Sequence, residues 1–376
     1  KTFPSIEAAR AYLAGNRDEL ETLLAKRKDI PSERKAVNSP RVGIDHRDGA
    51  NVTPEQFSDT FGFRGVQFGN YVEGPRRQQD LNQAYDALMD LAGVLNLPPR
   101  ALSLNGSLGL AFGARGKGGK RPAAAHYEQT HVVINLTKGA GAGSLAHEWF
   151  HGVDNYFSRL RGRKLDFATA NPGGEPYGGA DQLRPQMVEA FRALQRTLRT
   201  SAMGERSKEL DLARSKPYWG TDLEMAARAF ESYVISKLAD DSRSNDYLAN
   251  IVSEEAWNAL YGPVNPTYPY PSAEEVPAVR AAFDGFFQAI EQEPQPDGNV
   301  RLFSKAPADA DTDATFYSAL LNAVEQAKGA PRRAAGSAWQ QWLDGAQRRG
   351  ELKQEERDWL GVDAWLQGQE SVTREQ

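Results

Sequence analysis

The residues best suited to chemistry lie in one stretch, Ser144-Leu-Ala-His-Glu-Trp-Phe-His-Gly-Val-Asp-Asn-Tyr-Phe157. Wound as a helix, it brings Ser144, His147, Glu148, His151 and Asp154 onto one face. Leu145, Trp149, Phe150, Val153, Tyr156 and Phe157 cover the rest, the pattern of a buried helix. Imidazoles and carboxylates inside such a helix are costly unless they are paired or hold a metal ion. His147 and His151 are one turn apart, so both rings can reach one ion, with Glu148 beside them. This is the H-E-x-x-H arrangement, two zinc ligands and a general base. A surface helix with two solvated histidines is the competing reading, and the aromatic flanks oppose it.

A catalytic zinc takes a third protein ligand and keeps one position for water. The segment Asp222-Leu-Glu-Met-Ala-Ala-Arg-Ala-Phe-Glu-Ser-Tyr-Val-Ile-Ser-Lys-Leu238 offers Glu224 and Glu231, two turns apart on one face of a largely apolar helix. Either can complete the set. Arg228 lies between them and is placed to orient a carboxylate. Asp154, one turn after His151, suits a partner that orients a ligand imidazole.

The elements that must position these residues read as follows. Residues 5–28 have the pattern of one helix with a charged outer face. A turn-rich stretch follows, in which His46 reads as a solvated loop histidine. Thr53-Pro54 starts a further helix, with Thr53 as its cap. Strands are expected at 63–72, 101–105, 108–112 and 126–136, the last paired with 108–114 across a basic glycine-rich turn at 113–119. Residues 77–95, 184–199, 222–238 and 273–292 read as helices. Lys138–Gly143 is a flexible link into the histidine helix. The composition is thus that of an α+β protein, mainly helical, with a small mixed or antiparallel sheet. The divisions expected are 1–60, an N-terminal helical and irregular segment; 61–292, the domain with the site; 293–312, a Pro- and Asp-rich linker; and 313–376, a small helical segment holding Trp339, Trp342, Trp359 and Trp365.

Composition removes other function classes. Fifty acidic against 45 basic residues leave a net charge of −5, which provides no basic field for nucleic acid. The absence of cysteine removes disulfides, thiol nucleophiles and thiolate zinc sites. No apolar run approaches the ~18 residues a membrane helix needs, so a membrane partner is not expected and a cytoplasmic location is. The start, Lys1-Thr-Phe-Pro, is unlike a signal peptide and points to a piece of a longer parent chain with other domains.

Two resemblances sharpen this picture. His147-Glu-Trp-Phe-His-Gly-Val-Asp-Asn-Tyr156, followed by Glu224-Met-Ala-Ala-Arg-Ala-Phe230, resembles the lethal-factor type of zinc peptidase. That resemblance implies a zincin-like fold, Glu224 as the glutamate ligand, and a tyrosine before it that assists the oxyanion. Tyr218 is the matching tyrosine, at a spacing that differs by about one residue. Arg228 stands where that family has a second glutamate. The stretches Gly62-Phe-Arg-Gly-Val-Gln-Phe-Gly-Asn-Tyr-Val72, Leu145–His151, Ala226–Tyr233 and Trp339–Leu366 are similar to the large polyvalent protein-associated domains of phages and conjugative elements. Those are parts of long proteins delivered into a host with the element's DNA.

The expectation is a zinc-dependent endopeptidase acting on a protein or peptide. His147, His151 and Glu224 would bind the metal. Glu148 would serve as base, Tyr218 as oxyanion donor, with Asp154 and Arg228 in support. Residues 108–114 would be an edge along which an extended substrate adds as a strand. The alternative is a binding or structural module that keeps the helix only as scaffold.

Overall fold

A computed structural model describes residues 3–28, 32–69, 74–113, 125–136, 143–212, 214–261, 267–304, 324, 330–349, 357 and 362–373. The expected glycine-rich turn beyond Gly113, most of the link at 138–143 and the first C-terminal helix fall outside these residues, Val324 apart. The chain is α+β, mainly helical with small sheets. It divides into two units, Lys1–Lys305 and Ala306–Gln376.

The expected first helix is two, α1 (Ile6–Gly15) and α2 (Arg17–Lys28). Asn16 ends α1, its backbone N–H and its side-chain amide both donating to the Tyr12 carbonyl. Helix α3 (Pro54–Phe61) begins as its cap signal requires: Thr53 Oγ1 accepts from Gln56 N at 3.1 Å, and Gly62 closes it at φ 65°. Strand β1 (Gly65–Phe68), helix α4 (Gly74–Leu95), β2 (Gly109–Phe112), β3 (Ala125–Glu128) and β4 (Val133–Leu136) follow. Pro99–Ser103 is a 3₁₀ turn where a strand is expected, because Leu104 and Asn105 turn the chain into the left-handed region.

The sheet order is β1-β2-β4-β3, with β1, β2 and β4 parallel and β3 antiparallel to β4. Residues 126–136 therefore form a hairpin, not one strand. The turn at 129–132 ends with Val132 at φ 52°, which reverses the chain. A second expectation changes with it. The 108–112 strand is interior, bonded on both sides, so it is not an edge that could accept a peptide; β3 and β1 are the edges.

Helix α5 (Leu145–Leu160) is the centre of the first unit, with every residue from Leu145 to Ser158 buried. Trp149 donates its indole N–H to the Leu102 carbonyl at 2.9 Å, and Tyr156 its hydroxyl to Leu302 at 2.8 Å. Phe150 packs on Phe230 and Phe283. Removing one such buried aromatic costs about 3–5 kcal/mol. The start of α5 is held by a neighbouring loop: Gly143 N donates to Tyr247 O, Asn250 N to Gly143 O, and Ala146 N to Leu248 O. Gly143 has φ 99°, and a Cβ there would lie 2.3 Å from Cβ of Asn250, so only glycine fits.

Helices α6 (Pro185–Thr200), α7 (Ala202–Asp211), α8 (Asp222–Asp240), α9 (Glu254–Tyr261) and α10 (Val276–Gln288) complete the helical layer. Of these, α7 and α9 are not among the helices expected from the sequence; α7 lies in a polar stretch, and α9 is a short segment of eight residues. α5 packs across α8, and α6 and α10 pack on α8 and on each other. Where composition reads as linker, β5 (Ile290–Pro294) and β6 (Val300–Ser304) form an antiparallel hairpin. Val300 and Leu302 enter the core, which gives the hairpin an apolar face that proline content obscures.

The second unit has its own small core of Ala330, Trp339, Leu343, Ala346, Leu366 and Val372. It is built on α11 (Gly336–Arg348), α12 (Val362–Leu366) and the short strand pair Arg333–Ala334 with Val372–Thr373, labelled β7 and β8. The Trp339 indole donates to Val372 O at 3.0 Å, while Trp365 is largely exposed.

Candidate metal centre

Helix α5 presents His147, Glu148 and His151 from buried positions, and α8 presents Glu224 and Glu231 to the same space. The α8 start is fixed by Thr221, whose Oγ1 caps the helix at Glu224 N. Asp211 accepts from the backbone N–H of Tyr218, Trp219 and Gly220 at 2.8, 2.9 and 2.8 Å, so the turn before α8 is anchored on α7.

One Nε2 from each histidine and the Glu224 carboxylate converge. His147 Nε2 is 3.3 Å from Glu224 Oε2, and His151 Nε2 is 3.8 Å from Glu224 Oε1. The three ligand atoms lie within 4.8 Å of one another, and the group could hold a metal ion. It is the group of that kind found among the described residues. The two rings stand 4.7 Å apart and nearly perpendicular, at 86°. Glu224 Oε2, one of the converging atoms, is buried with the His147 ring at ion-pair distance but without a well-formed hydrogen bond among the described residues. Unsatisfied buried polar atoms are costly, and two imidazole nitrogens with one carboxylate oxygen are the donor set of a catalytic zinc. The residues therefore fit the metal.

Electrostatics express the same crowding. Burial lowers His147's affinity for a proton, but the Glu224 and Glu231 carboxylates outweigh it and hold the imidazole above its ordinary value. Burial and the neighbouring His147 hold His151 well below its own. Burial acts to raise Glu224, and the two histidines overcome it, leaving the carboxylate low. Glu148 is pushed up to about 7, first by burial and then by the Glu224 and Glu231 charges, against the pull of His147.

The supporting residues are distributed differently from expectation. Asp154 does not orient an imidazole: it accepts from the backbone N–H of Thr169 at 2.7 Å and from the Thr169 hydroxyl. It is one turn too far along α5 and faces the loop 161–181, which it pins. That loop carries Phe167, whose ring lies 5.8 Å from His151. The partner of a ligand imidazole is Glu231, with Oε2 3.2 Å from His147 Nδ1. Arg34 donates to both Glu231 oxygens. Arg228 donates to the carbonyls of Pro269 (2.9 Å) and Trp219, and to Ser207 Oγ (3.2 Å). It sits over the Trp219 ring at 5.0 Å, so it fixes the turn before α8, and its charge also lowers Glu224. Tyr218 lies before α8 with burial, then the Glu224 charge, raising its phenol well above the ordinary range.

Glu231 had a signal in the sequence, its place two turns after Glu224 on an apolar helix. Arg34 had none, since it lies in a polar stretch without periodicity.

Two stretches match known families. Residues 1–60 match Large polyvalent protein-associated domain 5, and residues 210–294 match Large polyvalent protein-associated domain 1. These matches support a place for the chain among polyvalent protein-associated domains. Of the stretches that carry the resemblance in the sequence, Ala226–Tyr233 falls inside a match, while 62–72, 145–151 and 339–366 lie outside both. No curated protein and no solved structure matches the chain. No helix among the described residues is long and apolar enough to cross a membrane.

Proposed function

We propose that this chain is a zinc-dependent endopeptidase, one part of a larger phage or mobile-element protein that cuts a protein substrate in the host cytoplasm. The observation that carries the reading is the buried convergence of His147, His151 and Glu224, with the buried carboxyl group of Glu148 next to His147 on the same helix. His147, His151 and Glu224 would hold the metal, which when bound supplies Lewis acidity and a water acidified to a pKa of about 7.

The remaining steps belong to the chain's own side chains. Glu148 takes a proton from the attacking water and passes it to the leaving amine, the role of a general base that then acts as general acid. Tyr218 keeps its proton, so its phenol is a donor to the carbonyl oxygen as negative charge develops there. Phe167, on the loop that Asp154 pins through Thr169, packs its ring 5.8 Å from that of His151 and flanks the site on that side.

The test is zinc content of the purified chain, followed by comparison of cleavage products in a host lysate for wild type and Glu148→Gln. We expect one zinc per chain in both, and cleavage reduced by about 10²- to 10⁴-fold in the variant. Zinc that is lost in Glu224→Ala and kept in Glu148→Gln separates ligand from base. A chain without zinc would end this reading. Zinc without Glu148-dependent cleavage of any lysate protein would favour the non-catalytic binding module.

A further inference from the structure

Arg34 lies more than a hundred residues before α5, yet its guanidinium reaches α8 and the residue just ahead of the α5 cap. Nη1 and Nη2 donate to the two carboxylate oxygens of Glu231 on α8, the Nη2 bond being 3.1 Å. Nη1 also donates to the Gly143 carbonyl, at the start of α5, at 2.7 Å. Glu231 in turn faces His147 Nδ1. One planar fork therefore joins the backbone just before α5, the middle of α8 and, through a carboxylate, the His147 imidazole.

The stretch that delivers Arg34 is fastened by polar contacts. Lys35 N donates to Asn250 Oδ1 at 2.6 Å, and Lys35 Nζ pairs with Asp246 at 2.9 Å. Ser39 N donates to Asp246 at 2.7 Å, Arg41 forks onto Asp90, and Arg47 pairs with Asp86 at 3.0 Å. Arg34 comes from the stretch matching one family model, and Glu231, Asp246 and Asn250 from the stretch matching the other.

We propose that Arg34 is a positioning residue for the metal centre: by holding Glu231 against Nδ1 of His147 it fixes the ring so that Nε2 is aimed at the metal. The N-terminal stretch is thus part of the site and not a separate module. The proposal rests on the metal reading above. A carboxylate that partners a ligand histidine sets ring orientation and tautomer, and its loss costs metal affinity about ten- to a hundred-fold. A buried carboxylate held by a two-point guanidinium cannot rotate away, whereas a lysine supplies charge without the fork.

The experiment uses the full chain, with Zn²⁺ measured by competition against a chromophoric chelator, Co²⁺ as a spectroscopic probe of coordination, and thermal unfolding as the control. The variants are Arg34→Gln, Arg34→Lys, Glu231→Gln, the double variant Arg34→Gln/Glu231→Gln, and Arg47→Gln, which loosens the same stretch on α4. Zinc binding should weaken about ten- to a hundred-fold in Arg34→Gln, less in Arg34→Lys, and no further in the double variant than in the weaker single. The Co²⁺ visible band should change in step, and Arg47→Gln should lower the melting temperature with zinc affinity unchanged. Wild-type zinc affinity in Arg34→Gln would overturn the proposal. So would additive losses in the double variant, or an equal loss in Arg47→Gln, either of which would make the effect one of general loosening. If Arg34→Gln does not fold, Arg34→Lys decides, wild-type affinity there disproving the role of the fork. Wild-type chain that takes up no zinc sinks the metal reading itself, a distinct outcome.

Discussion

The Glu231 carboxylate stands 3.2 Å from Nδ1 of His147, 84 positions apart in the chain, with Arg34 on its far side. Glu231 is fully buried and the Arg34 side chain nearly so. Replacing Glu231 with alanine leaves a guanidinium in the interior without its carboxylate. Breaking a buried pair from one side costs about 3–5 kcal/mol. Urea unfolding of Glu231→Ala should show a loss of that size in the metal-free chain, and a loss below about 1 kcal/mol would mean the pair is far better solvated than its burial indicates.

Tyr218 should matter to turnover more than to binding. An oxyanion donor acts on charge that develops only in the transition state. Tyr218→Phe is expected to lower kcat by about 10²- to 10³-fold with KM and zinc content little changed. A variant that instead raises KM alone would assign the phenol to substrate binding.

Asp154 should behave as a loop anchor. Its carboxyl is pushed up to about 7 by burial, and the Thr169 N–H and hydroxyl bonds pull against that shift. Asp154→Ala leaves the Thr169 N–H without its acceptor inside the protein, a loss of about 1–3 kcal/mol. Hydrogen exchange should quicken at Thr169 and along residues 161–181, while zinc affinity stays near wild type. A large loss of zinc with an unaltered loop would restore Asp154 to the role of ligand support.

The N-terminal stretch should weaken in acid. Burial raises Asp90, but hydrogen bonds from Arg41, Asn245 and His46 overcome it and hold it below its ordinary 3.8. A carboxylate lowered in the folded state adds stability above its ordinary value and loses it as pH falls through 3.8 toward the folded value. Burial raises Asp246 too, and the bonds from Lys35 and Ser39 overcome it, lowering it in the same sense. Stability measured from pH 5 down to pH 2 should therefore fall less steeply in Asp90→Asn than in wild type. Parallel slopes would show that Asp90 is not lowered by its partners.

Local chemistry was legible where a short-range rule governs it. Thr53 and Pro54 start α3 because a side-chain cap and a fixed φ act within one turn. The apolar girth of 145–157 predicts a buried helix, and that helix is the centre of the first unit. His46, read as a solvated loop residue, is instead 2.9 Å from Asp90 Oδ1, a partner 44 positions away that no local pattern announces. The strand pairing failed for a similar reason: 126–136 has the composition of one strand, and a turn at 129–132 folds it into two.

By itself the sequence determined the pair His147 and His151 with Glu148 between them, because helical spacing alone puts two imidazoles one turn apart. Helical spacing narrowed the third member to Glu224 or Glu231, both on the same face of one helix, and the family resemblance pointed to Glu224. Tertiary structure decided between their places. The crossing of α5 and α8 brings Glu224 to the Nε2 atoms and Glu231 to the opposite nitrogen of His147. It also brought in Arg34 and sent Asp154 to Thr169. Those choices depend on how helices and loops distant in the chain pack together, and hydrogen bonds between such residues leave no periodicity to read.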